Sequence, residues 1–168
     1  MNRTFIEQGL RFVVLVLVQV AILNNINFFG YINPYLYVLF IALFPIGNSR
    51  MTLIFVSFII GLTIDIFSDS GGVHAAASVF IGYARPLFLK TAFGMTYEHQ
   101  TVKIQQSVLA QRLVYFTFLV LVHHIILFSL EIFSISKIIL VLQKTLFSSI
   151  FTILMCILIT IIFSRKTK

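Results

Sequence analysis

The stretch "GLTIDIFSDSGGVHAAASVFIGYARP", residues 61–86, carries Asp65 in otherwise apolar surroundings. A carboxylate inside a membrane-length helix costs about 2.5–3.5 kcal/mol on insertion scales, so it needs a structural or functional reason. Two reasons stand open on sequence alone. Asp65 can be a helix-end residue satisfied by nearby N–H groups or water, or a polar contact with a partner or ligand inside a bundle. Gly61 stands four residues earlier and shares a helix face with it. Glycine at that place lets a neighbouring helix approach closely. Asp69, Ser70, Gly71 and Gly72 have the composition of a turn, and Ala75, Ala76, Ala77 and Ser78 give the following helix a small face. The expected unit is a tight helical hairpin with a buried carboxylate near its outer end.

The other reactive side chains are sparse. His123 and His124 fall in the middle of an apolar run. As neighbours on a helix they project about 100° apart, so they do not both face one metal. A membrane histidine can relay protons, and hydrogen-bonded packing is the simpler role. His74 and His99 are expected at an interface and in a loop, and nothing has metal-ligand spacing. The single cysteine, Cys156, has no partner for an internal disulfide. No phosphate-cradling glycine loop, nucleophile elbow or carboxylate pair appears. Neither enzymatic activity nor a cofactor is expected.

The elements that hold these residues are membrane helices. Of 168 residues, 60% are apolar and 10% charged, with mean hydropathy +1.06; a soluble domain carries about 25% charged residues. The chain reads as one integral membrane domain, 1–168. It is an all-α bundle of about six transmembrane helices, at roughly 10–23, 33–46, 51–67, 73–89, 113–130 and 138–163. The basic, apolar N-terminus holds Glu7 and no small-residue cleavage site, so it is expected to remain as the first helix. The second span is short. It crosses a thin region, is buried among neighbours, or does not cross.

Charge decides the topology. With six crossings and the N-terminus inside, Arg3, Arg11, Arg50, Arg85, Lys90, Lys103, Arg112, Arg165, Lys166 and Lys168 all lie inside. Only Lys137 lies clearly outside, with Lys144 in the outer part of the last helix. Six spans with both termini cytoplasmic follow from the positive-inside rule. The net charge of +7 is thereby a topology signal rather than a nucleic-acid stripe. Residues 91–112 form the sizeable inner segment, whose later half can extend the fifth helix with Ile104 and Val108 on one face. The last span starts near Ile138 or, if residues 131–144 lie along the interface, near Thr145.

Pro34 is expected in the first turn of the second helix, with Asn33, Tyr35 and Tyr37 beside it and the tyrosines in the interfacial belt. Pro45 and Gly47 end that helix. Arg85-Pro86 is expected to end the regular part of the fourth, with Arg85 snorkelling inward.

With these residues in place, the chain resembles the rod shape-determining MreD family over nearly its whole length. The resemblance rests on "VLVQVAILNNINFFGYINPYLYVLFIALFPI" and "FIIGLTIDIFSDSGGVHAAASVFIGYARP", above all on Gly61, Asp65 and Gly72 and on the "INPYLYVLF" opening with Pro34 and Tyr37. It implies a non-enzymatic scaffold of the bacterial wall-elongation machinery in the inner membrane. The implied partners are a bitopic MreC-type protein and, through it, a cell-wall glycosyltransferase, a transpeptidase and MreB filaments. The alternative is a substrate-binding subunit of a vitamin-type transporter. That family uses small residues at four-residue spacing on its first helix, whereas "FVVLVLVQVAIL" offers only Ala21.

Overall fold

The computed structural model describes residues 3–26, 32–94 and 103–163, with side chains from Ile6 onward. His99, and of the residues in the charge argument Arg165, Lys166, Lys168 and the Arg3 side chain, lie outside the described residues. Six α-helices follow one another: α1 (Arg3–Ala21), α2 (Val38–Ala42), α3 (Arg50–Ser68), α4 (Val73–Phe93), α5 (Leu109–Ile132) and α6 (Ile138–Ile162). Short 3-10 turns lie at Leu23–Asn25, Ile104–Gln106 and Ile135–Lys137.

Helix α4 packs between α3 and α5; α6 lies against the outer side of α5, and α1 against α3. The short α2 runs through the middle, and its five residues are at most 2% exposed. The first turns of α1 and the end of α6 meet at one end, where Glu7, Leu10, Ile159 and Phe163 line a shared cleft. Arg11, Arg50, Arg85 and Lys103 line recesses at that same end. Glu131 and Lys144 lie towards the other, ion-paired at 2.8 Å.

The second segment differs most from expectation. Only Val38–Ala42 is helical; Pro34 lies in non-helical chain four residues before it. The segment still travels the depth of the bundle. Tyr37 touches His74 near the start of α4, while the Ala42 and Phe44 carbonyls meet Arg85 eleven residues along it, about 16 Å away. Irregular backbone at membrane depth is tolerated only where protein satisfies its polar groups. Here Gln19 of α1 donates to the Pro34 carbonyl at 3.0 Å and accepts from Tyr37 N–H at 3.4 Å. Thr152 of α6 accepts from Tyr35 N–H at 2.9 Å. Of the three fates open to this segment, burial among neighbours is the one found.

Other boundaries shift for local reasons. Helix α4 continues past Arg85-Pro86 to Phe93, held between two helices although proline removes one of its N–H donors. Helix α5 starts at Leu109. Ile104 is therefore outside it and buried, whereas Val108 is 67% exposed, so the two share no face. Helix α6 begins at Ile138 rather than near Thr145.

Candidate functional site

The α3–α4 hairpin is built from residues that lie close in sequence. Helix α3 ends on Asp69 in the left-handed region (φ 50°), and Gly71 and Gly72 continue the turn at φ 69° and 94°. Gly72 is the N-cap of α4 and supplies no side-chain oxygen to its free N–H groups. Asp65 reaches across instead. One carboxylate oxygen accepts from His74 N–H at 3.0 Å and from the Ser70 hydroxyl at 2.6 Å, and the other from Ala75 N–H at 2.8 Å. An aspartate of one helix thus caps the next, and its charge sits at the positive end of the α4 dipole. Two of these contacts are the neighbouring N–H groups of the first of the two readings of Asp65, and the third is the Ser70 hydroxyl in the same hairpin. Gly61 gives the room. A Cβ there would lie 2.6 Å from both the Ala75 Cα and the His74 carbonyl oxygen.

Beneath this clasp lies a polar node that sequence reasoning missed. Tyr37, expected in the interfacial belt, is fully buried. Its hydroxyl is 2.9 Å from His74 Nδ1 and 2.8 Å from His123 Nε2. His74, expected at an interface, is buried at 6% exposure. Tyr35 covers the node, its ring 5.4 Å from that of His74 and 5.3 Å from that of His124. The two adjacent histidines diverge as expected: His123 faces Tyr37, and His124 bonds the Val120 carbonyl oxygen through Nδ1 at 2.8 Å. Among the described residues Asp65 bonds the Ser70 hydroxyl and the His74 and Ala75 N–H groups, and no imidazole. His123 Nδ1 has no hydrogen-bond partner among the described residues, and the hydrogen-bonded line from His74 stops there. Among the described residues no three His, Cys, Asp or Glu converge as metal ligands.

Tyr37→Phe would leave two buried imidazole nitrogens without their shared partner. It is expected to destabilise the bundle by about 1–3 kcal/mol. A thermal melt in mild detergent checks this, and an unchanged midpoint would remove the node from the stability account.

His74 also lines a vestibule of about 510 Å³ at this end, together with Asn24, Asn33, Ser68, Asp69 and Glu131. At the opposite end the α2 terminus forms a second polar centre. Arg85, only 3% exposed, does not snorkel to the surface. Its Nη2 donates to the Phe44 and Ala42 carbonyls, the latter at 3.0 Å, and its Nε to the Tyr115 hydroxyl at 2.9 Å. Tyr115 donates to Ala42 O at 2.9 Å, and Arg11 to Leu43 O at 3.2 Å. The carbonyls of Ala42, Leu43 and Phe44, where α2 ends, thereby find donors, with cations at the negative end of the helix.

Among the described residues four helices, α1, α3, α5 and α6 with their adjoining turns, are long and apolar enough to cross a membrane. Together they have the character of a multi-pass α-helical membrane protein. The chain matches no family model, no curated protein and no solved structure.

Proposed function

We propose that this protein is a non-enzymatic scaffold of the bacterial cell-wall elongation machinery. It sits in the inner membrane with both termini cytoplasmic and binds a bitopic MreC-type partner. Through that partner it reaches the glycosyltransferase, the transpeptidase and, indirectly, MreB filaments. The sequence resemblance to the MreD family supplies the biology. The observation that carries the reading is the α3–α4 clasp. The motif residues Gly61, Asp65 and Gly72 are consumed in holding two helices in one rigid geometry. Asp65 is the buried carboxylate of this hairpin, and backbone N–H groups occupy it. A rigid, preorganised helix pair suits partner packing, where membrane helices associate through close fit rather than hydrophobic drive.

The vestibule favours a second reading, a solute-binding transporter subunit, because its polar lining opens at one end of the bundle. Affinity purification of the tagged protein from its own cells, with partners identified by mass spectrometry, separates the two. Recovery of an MreC-type protein with wall synthases supports the scaffold; coupling ATPases in their place refute it. Asp65→Ala, which abolishes the cap, is expected to lose most partner recovery and round the cells. Asp65→Asn keeps one acceptor oxygen and should retain part of both. If both variants behave as wild type, the clasp is not what the partner requires.

A further inference from the structure

At the basic end of the bundle, a recess of about 290 Å³ lies between the start of α3 and the second half of α4. Asn48, Arg50, Leu53, Arg85, Pro86 and Leu89 line it, and none of its lining residues is acidic. Three features converge on anion binding. First, Arg85 is 97% buried on its 3% exposure, and its Nε and Nη2 are fully engaged on Tyr115, Ala42 and Phe44. No described residue hydrogen-bonds its Nη1, and Arg85 is one of the residues that line the recess. Second, Arg50 stacks 4.2 Å over the Tyr83 ring and donates one Nη2 bond to Tyr83 O, and no other described residue hydrogen-bonds its guanidinium. Third, the α3 N-terminus opens here. Ser49 caps only Thr52 N–H, and the first turn contains no acidic residue. An arginine at the positive end of a helix dipole is electrostatically misplaced unless an anion sits between them.

We propose that this recess binds the phosphate of an anionic phospholipid. A zwitterionic headgroup would bring an ammonium to a site lined by two arginines and no carboxylate. The lipid source, rather than free phosphate, follows from the flanking residues: Met51 beside Arg50 and Leu87 beside Pro86 are apolar and 75% and 63% exposed, a surface suited to acyl chains. Basic pockets between transmembrane helices bind such headgroups in general. The assignment is independent of the scaffold reading.

The test uses the full chain in mild detergent, titrated with phosphatidylglycerol, phosphatidylcholine or inorganic phosphate. Thermal midpoint and native mass spectrometry are the readouts. Phosphatidylglycerol is expected to raise the midpoint and remain bound, and the other two to do neither. Arg50→Gln, on an exposed side chain, should weaken phosphatidylglycerol binding about fivefold. Asn48→Asp places a carboxylate in the recess and should weaken it similarly, while its charge favours the α3 N-terminus and leaves lipid-free stability intact. Lys137→Gln, at the opposite end, should change nothing. Equal binding of phosphatidylcholine, or full phosphatidylglycerol affinity in both recess variants, would overturn the proposal. Saturation of the wild type by inorganic phosphate alone would replace the lipid with a free anion and overturn it too.

Discussion

Gly61→Ala is expected to lower stability by about 3 kcal/mol, the upper part of the range for overpacking a tight core. The added methyl would meet backbone atoms of His74 and Ala75 at 2.6–2.8 Å, and backbone cannot swing aside as a side-chain tip can. Helix α4 must therefore move away from α3, drawing its N–H groups off Asp65 and shifting His74 from Tyr37. Two other glycines calibrate the result. Gly82→Ala meets the Ser57 side chain, Oγ at 2.6 Å and Cβ at 3.1 Å, which can partly yield, so a smaller loss is expected. Gly9→Ala, with nothing within 4 Å, should be neutral or stabilise α1 by up to about 1 kcal/mol. Thermal midpoints in one detergent give the order. If Gly61→Ala melts with Gly9→Ala, the close approach of α3 and α4 is not a constraint.

Arg85→Met should be comparably damaging. Methionine fills much of the volume but strips the α2 terminus of its donor. The Phe44 carbonyl loses its Arg85 bond, Ala42 O keeps Tyr115, and the Tyr115 hydroxyl loses its own donor. At about 1–3 kcal/mol per buried group left unsatisfied, the expected loss is about 3 kcal/mol. Arg85→Lys keeps the charge without the fork that reaches several acceptors at once, and should fall between the two. Monodispersity on size exclusion and the thermal midpoint read the series. Wild-type behaviour of the methionine variant would mean that α2 is held without Arg85.

The hairpin was legible in the sequence because everything that makes it is local. Gly61 and Asp65 stand one helical turn apart, the turn glycines follow within a few residues, and the accepting N–H groups open the next helix. Membrane character was equally plain, since long apolar runs need no tertiary information to be recognised. The interior of the bundle was not legible. An apolar run at 33–46 reads as a short span, and periodicity does not say that its backbone bonds go to Gln19, Thr152, Arg11 and Arg85 instead of along a helix.

Tyr37, His74 and His123 show the same divide. They stand 37 and 86 residues apart along the two bonds that join them, and each alone matches an interfacial or packing residue. Pro86 carried a stop signal that packing of α4 between α3 and α5 overrode, while Arg85 beside it found acceptors in the Ala42 and Phe44 carbonyls. The sequence by itself determined the long apolar helices and the turn between α3 and α4, because these depend on near neighbours and on transfer to lipid. Only the tertiary structure decided which polar groups meet in the core. Inside a membrane each buried donor or acceptor must find a protein partner, and chain folding brings that partner from a distant helix.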